Sequence, residues 1–380
     1  MSRVHTRSPS TVLSAHLNEL VVNTAESVVG SGTYGVVFDA KAECRPGGDP
    51  TQELLNAAAK SRLVRKHKKR IEDENMADTS EFAIQSVLTE NQSSYESGIL
   101  KLICPDGVMM KCDAILSSII PKLQRCDADN PLLHDFMLNF LQSMCRALTT
   151  LKQHEYIHGD PKPENIGMRF KENGDIFFVL FDLGSAKKYD RISEKSLTHG
   201  TPGFMSPEVI CGELPKNDKN KLDIYSIGRV LFLMLIPGAK ILQGLATVKE
   251  VSDAHDAAKR NPPIDHKARM YRIFNAQTIS QKLLLMTEAM CETLAENRLS
   301  LEELCRITQH LECEILPYPS VEGYAALFEW YRTLIEPAVE QSYPSNVTFN
   351  SGDAGFFSSP SAPAAEAVVL SPFPPIIAGQ

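Results

Sequence analysis

Tyr156-Ile157-His158-Gly159-Asp160-Pro161-Lys162-Pro163-Glu164-Asn165 is followed, 17 residues after Asn165, by Phe181-Asp182-Leu183-Gly184 at the end of the apolar run IFFVLFD. These two stretches carry the strongest functional signal in the 380-residue chain. Asp160 is placed to accept the proton of an attacking hydroxyl and Lys162 to neutralise charge on a transferring phosphoryl group. Asn165 and Asp182 offer hard oxygen ligands for Mg2+. Phosphoryl transfer asks for positioning and charge stabilisation more than for covalent chemistry, so four such groups are a sufficient kit.

Upstream, VVGSGTYGVVF contains Gly30, Gly32, Gly35 and Val37 in G-x-G-x-x-G-x-V order, with Ser31 and Thr33 between the glycines. Glycines let backbone approach phosphate oxygens closely, and the flanking valines suit strands. A dinucleotide-binding turn uses a similar triplet, but there a helix follows; here the next run, VVFDA, is again strand-like. A phosphate cradle of this kind needs a lysine on a nearby strand. Ala58-Ala59-Lys60 has the A-x-K form, 23 residues past Val37, whereas Lys41 comes too soon for the chain to have turned. Against Lys60 stands the good helix propensity of ELLNAAAK. The lysine in turn needs a carboxylate, and YESGILKLI offers Glu96, with Glu90 as the alternative in the same expected helix. The long interval between Lys60 and Glu96 makes SRLVRKHKKRIEDENMADTS an inserted loop, at about 61–80. Its basic run Arg65–Arg70 is then a solvated loop, a nuclear-import signal or a patch for acidic lipid.

In their order these motifs resemble the protein kinase family, from about Val21 to about Leu311. Gly30 to Val37 resembles the glycine-rich loop, Ala58 to Lys60 the lysine strand, Glu96 the helix carboxylate, His158 to Asn165 the catalytic loop and Asp182 to Gly184 the DFG-type metal site. Gly200-Thr201-Pro202-Gly203-Phe204-Met205-Ser206-Pro207-Glu208 resembles the segment ending in A-P-E. Asp223 resembles the aspartate that opens the central buried helix, and Arg298 the arginine that pairs with the A-P-E glutamate. The resemblance implies an α+β, two-lobed protein-kinase-like fold, a small antiparallel β lobe with one helix and a larger, mainly helical lobe. It implies ATP and Mg2+ as cofactors in the cleft between the lobes and proteins as substrates. Ala58, Lys60 and the glycine loop would bind the nucleotide, and a hinge near Pro121–Cys126 the adenine. Lysine two residues after Asp160 is similar to the serine/threonine branch, and Thr201 in its G-T-P context agrees.

Gly159 departs from the family pattern, in which an arginine there receives a phosphate on the activation loop. The departure implies a non-RD variant whose activity does not need phosphorylation between Ser185 and Thr201. Leu183 and Ser206 replace the usual Phe and Ala and leave the reactive groups intact. H-G-D also resembles small-molecule phosphotransferases such as the antibiotic kinases. The rival from another class is a pseudokinase, a binding module that keeps the fold without the chemistry.

Composition places these motifs in an ordinary globular body, 43% hydrophobic and 23% charged. The formal net charge of -8 argues against a dedicated nucleic-acid binder. Nine cysteines without C-x-x-C spacing give neither a disulfide framework nor a zinc signature. No secretory leader or long apolar span is visible, so a soluble, intracellular, cytoplasmic protein is expected. Residues 1–20 and 343–380, rich in Ser with Thr and Arg or with Pro, Ala and Gly, read as disordered tails. Between them the expected division is an N-lobe at 21–124 and a C-lobe at 125–342. Two helices stand out in the C-lobe: LLHDFMLNFLQSMCRALTTLKQ, apolar at three- and four-residue spacing, and DIYSIGRVLFLMLI, apolar nearly all round.

Overall fold

A computed structural model describes residues 20–31, 35–44, 58, 63–68, 81–90, 92–104, 107–171, 175–193, 200–215, 218–236, 239, 248–315 and 321–335. The chain divides into Met1–Ile335 and Glu336–Gln380, and the second unit lies outside the described residues, as does residue 1–19 of the expected N-terminal tail.

Valine-rich and alternating runs build the first layer, a five-stranded antiparallel sheet in the order β1-β2-β3-β5-β4. Its strands are β1 (Leu20–Ser31), β2 (Gly35–Cys44), β3 (Leu63–Lys68), β4 (Leu102–Cys104) and β5 (Val108–Met110). Helix α1 (Glu81–Leu88) buries Phe82, Ile84 and Leu88. The register places Val37 beside Lys66, and Val64 beside both Asp39 and Met109. Residues paired across a sheet share a face, so Val37, Asp39, Val64, Lys66 and Met109 look the same way. Val64 and Met109 pack there with Phe82, Leu102 and Val179, with Val37, Cys112 and Phe181 against them.

This register corrects two expectations. Residues 61–62 and 69–80 lie outside the described residues, and Leu63–Lys68 is strand β3, so this part of the segment read as an inserted basic loop is the central strand of the small sheet. Its physical signature is alternation: Leu63 joins the cluster of Ala40, Val108 and Met110, while Val64 joins the other face. Lys66 is buried, which removes it from any exposed basic signal. Ala58 is helical, in keeping with the propensity of its neighbours, and is not on the lysine strand.

The chain then crosses through Lys111–Asp113 to β6 (Ala114–Ile115) and α3 (Leu116–Leu123). The expected hinge at Pro121–Cys126 is therefore placed too late. Leu116, Ile119, Ile120 and Leu123 are buried on one face of α3, the spacing of a helix, with Pro121 inside it.

The second layer is helical. Helix α4 (Pro131–Gln153) starts at Asn130, whose side chain accepts from Leu132 N, and buries Phe136, Met137, Phe140, Leu141, Met144, Leu148 and Leu151. That is the stripe read from the sequence. The short strand β7 (Tyr156–Ile157) and the hairpin of β8 (Ile166–Phe170) and β9 (Ile176–Leu180) follow. Strand β6 joins this hairpin as a third strand, and β10 (Lys187–Lys188) pairs with β7. Helix α5 (Pro207–Cys211) leads to α6 (Asn220–Leu235), whose Leu222, Ile224, Ile227, Val230, Leu231 and Met234 are buried around most of its circumference. Helices α7 (Val248–Lys259), α8 (His266–Phe274), α9 (Ile279–Met290), α10 (Leu301–Glu314) and α11 (Val321–Ile335) complete the lobe. Among the described residues no helix is long and apolar enough to cross a membrane.

Candidate active site

The loop between β7 and β8 owes its shape to α6. Asp223 is buried, and its carboxylate accepts from His158 N at 2.7 Å and Gly159 N at 3.0 Å. Burial pushes the Asp223 carboxyl up from the usual aspartate range, while His158 and the two amides pull the other way. His158 is fully buried; its Nδ1 accepts from Asp160 N at 3.3 Å, which leaves Nε2 to donate to Phe181 O at 3.0 Å. The residue before Asp182 is thereby tied to the residue before Gly159.

Gly159 has φ +80°, in the left-handed region, and a Cβ built there would lie 2.7 Å from Ser185 O. Two backbone segments, one carrying Asp160 and one following Asp182, meet with no room for a side chain. Gly159→Ala is expected to lose about 1–2 kcal/mol from the φ penalty alone, read as a lower denaturation midpoint. An unchanged midpoint would show that the loop rearranges freely.

Both carboxylate oxygens of Asp160 are engaged. Oδ1 accepts from Thr201 N at 2.8 Å, and Oδ2 faces Lys162 Nζ at 2.8 Å and Asn165 Nδ2 at 3.4 Å. Lys162 Nζ also donates to Thr201 Oγ1 at 2.7 Å. Asn165 Nδ2 donates to Asp160 O at 3.0 Å, which turns its amide oxygen away from Asp160. Asn165 O accepts from Phe181 N at 3.1 Å, so Asn165 and Asp182 are brought side by side. Asp182 has φ +63°, an uncommon conformation for a non-glycine residue and one that recurs at functional turns. An amide oxygen and a carboxylate form a hard donor set that fits Mg2+.

Lys66 completes the site. Its Nζ lies 2.8 Å from Glu81 on α1 and 2.6 Å from Asp182. Burial alone would lower the Lys66 pKa; Glu81 and Asp182 outweigh it and hold the ammonium above its ordinary value, hence charged at neutral pH. The expected pair is thus corrected. Lys60 lies outside the described residues. Glu96, on the short helix α2 (Ser94–Ser97), is occupied as a helix cap: Ser93 N donates to Glu96 Oε2 at 2.7 Å and Glu96 N to Ser93 Oγ at 3.2 Å. Those hydrogen bonds hold its carboxyl below the usual range. Glu90 follows α1 in a turn and is exposed. The missed signal was Val64-Arg65-Lys66, an x-x-K triplet with valine in place of alanine, hidden inside a basic run, and Glu81 at the head of the next helix.

Of the glycine loop, Gly30, Ser31 and Gly35 lie on β1 and β2, with Gly30 opposite Val37 and Ser31 opposite Val36. Gly32 and Thr33 lie outside the described residues. Downstream, Arg298 is fully buried and grips Glu208 with two bonds, Nη1 to Oε1 at 2.7 Å and Nη2 to Oε2 at 3.0 Å, anchoring the end of the Gly200–Glu208 segment. Such bidentate, charge-assisted pairs are among the stronger polar contacts.

Residues 24–309 match the family description "Protein kinase domain". The chain is similar to "Probable serine/threonine-protein kinase zyg-1" of Caenorhabditis briggsae, 23% identical over 70% of this chain and 34% of that protein. It is also similar to "Serine/threonine-protein kinase nekl-2" of Caenorhabditis elegans, 28% identical over 55% of this chain and 56% of that protein. It therefore spans about a third to about half of these curated relatives. A crystallised kinase domain, PF14_0431, aligns with TM-score 0.49 and 16% identity, covering 77% of this chain and 95% of that one. With the ordered motifs, the two layers and a match over most of its length, this chain belongs to the protein kinase family.

Proposed function

We propose that the protein transfers the γ-phosphate of Mg-ATP to serine or threonine hydroxyls of protein substrates. The observation that carries this reading is the polar array: Asp160 held by Thr201 and Lys162, and Asp182 and Glu81 both held by Lys66. A pseudokinase would have little need of it. In the proposed step the substrate oxygen bonds to the γ-phosphorus, the bond from that phosphorus to the β-phosphate oxygen breaks, and Asp160 takes the hydroxyl proton. Lys162 stands beside Asp160 to offset charge on the phosphoryl group. Lys66 would hold nucleotide phosphates under the glycine strands, with Val37 and Val64 as the apolar roof of the adenine site. Asn165 and Asp182 would hold Mg2+, which neutralises phosphate charge when bound. The Glu208–Arg298 anchor favours a protein-substrate platform over a small-molecule phosphotransferase.

Incubating the protein with γ-labelled ATP and a mixed protein substrate tests the reading. Label on phosphoserine or phosphothreonine with the wild type and its absence with Asp160→Asn supports it; equal label with both removes it.

Gly159 offers no side chain to a phosphate on the activation loop, so the triple variant Ser193→Ala, Ser196→Ala, Thr198→Ala is expected to keep its turnover. Ser196 and Thr198 lie outside the described residues. Loss of activity in a radiometric assay would overturn this independence.

A further inference from the structure

One face of α6 builds the floor beside the catalytic base. Asp223 takes the amides of His158 and Gly159, Ser226 Oγ donates to Phe204 O at 2.9 Å, and Arg229 Nε donates to Gly203 O at 3.1 Å. Residues 223, 226 and 229 are three apart, so they stack along one side of the helix. Gly203, at φ +91°, is two residues beyond Thr201, which touches both Asp160 and Lys162. A polypeptide that delivers a hydroxyl to Asp160 must therefore pass alongside Thr201–Phe204, within reach of a side chain as long as arginine.

Arg229 differs from the other arginines packed in this part of the lobe. Arg298 has Glu208, and Arg269 Nη1 lies 3.8 Å from Glu292. Arg229 is half-buried, with its Cζ 5.4 Å from the Phe232 ring centroid, and has no carboxylate within salt-bridge distance among the described residues. The neighbouring Tyr225 hydroxyl and Cys291 thiol are both pushed up to about 12 by burial and stay neutral. A guanidinium fixed at Nε by a carbonyl keeps its two Nη groups as donors in a fork that matches a carboxylate. Removed in part from water, it gains more from an arriving anion than an exposed lysine would.

We propose that Arg229 is a specificity-determining residue that selects protein substrates with an Asp or Glu side chain close to the phosphorylated hydroxyl. The proposal rests on the kinase reading above and names the substrate class for that site.

The test uses the full chain and serine peptides of neutral sequence carrying Glu, Gln or Lys in turn at each position flanking the acceptor. Wild type is expected to favour Glu over Gln at one flanking position by about tenfold in kcat/KM, the size of one charge-assisted contact. Arg229→Gln should bring that ratio close to one, and Arg229→Lys should keep part of it. The ratio is taken within each variant, so a general loss of activity from a disturbed Gly203 carbonyl contact does not move it. If wild type labels all peptides equally, or Arg229→Gln retains the Glu preference, the inference falls while the kinase reading stands. If wild type labels none of them above the level of Asp160→Asn, both fall.

Discussion

Asp160→Asn is expected to lower kcat by about a thousandfold, within the range of general-base contributions, with the KM for nucleotide little changed. The reason lies in how Asp160 is held. Asparagine keeps the size of the side chain and an oxygen for Thr201 N, so the loop anchored by Asp223 retains its shape. What it loses is the basic oxygen proposed to take the substrate proton and the anion facing Lys162 at 2.8 Å. The effect should therefore fall on the chemical step, visible in single-turnover phosphotransfer. Activity retained within tenfold of wild type would mean that Asp160 is not the base.

Lys66→Met is expected to reduce kcat/KM about a hundredfold, the usual cost of removing one preorganised charge from a reacting site, whereas Lys60→Met should cause no loss on that scale. Lys66 is the cation that joins three parts of the fold, strand β3, helix α1 through Glu81 and the metal-site turn through Asp182. Its removal breaks the buried ion pair with Glu81, which by itself can destabilise by about 3–5 kcal/mol. Lys66→Arg restores a charge and serves as the control for folding, but a planar guanidinium does not reproduce an ammonium held between two carboxylates. Rates should be compared only for variants whose melting curves show a folded protein at assay temperature. A large loss with Lys60→Met and none with Lys66→Met would return the assignment to Lys60.

The contrast between these two lysines shows where sequence reading stopped. His158 to Asn165 was legible because its working groups lie within one loop, so their order in the chain nearly states their arrangement. The helices α4 and α6 were legible for a similar reason: burial on one face, or all round, leaves a local period in the apolar residues. The ion pair was not. Its two halves are 15 residues apart, and the segment carrying the lysine, LVRKHK, looks like a solvated basic run because the aliphatic stem of a buried lysine is invisible in a charge pattern. An A-x-K triplet further upstream, in a run of high helix propensity, matched the family pattern better than the strand whose lysine meets Glu81 and Asp182.

The hinge failed by a related route. In ILSSIIPKL the buried Leu116, Ile119, Ile120 and Leu123 form a helix once they have the lobe to pack against, with Pro121 inside it.

By itself, then, the sequence determined the family, the two-layer α+β architecture and the residues of the loop that holds Asp160, all of which depend on contacts between near neighbours or on a simple period. Only the tertiary structure decided which lysine meets which carboxylate, where the chain crosses between the lobes, and why position 159 is glycine. Each of these depends on two segments distant in the chain arriving at one place, through strand register for Lys66, helix packing for α3 and the close approach of Ser185 O to Gly159, and that arrival is set by the whole fold.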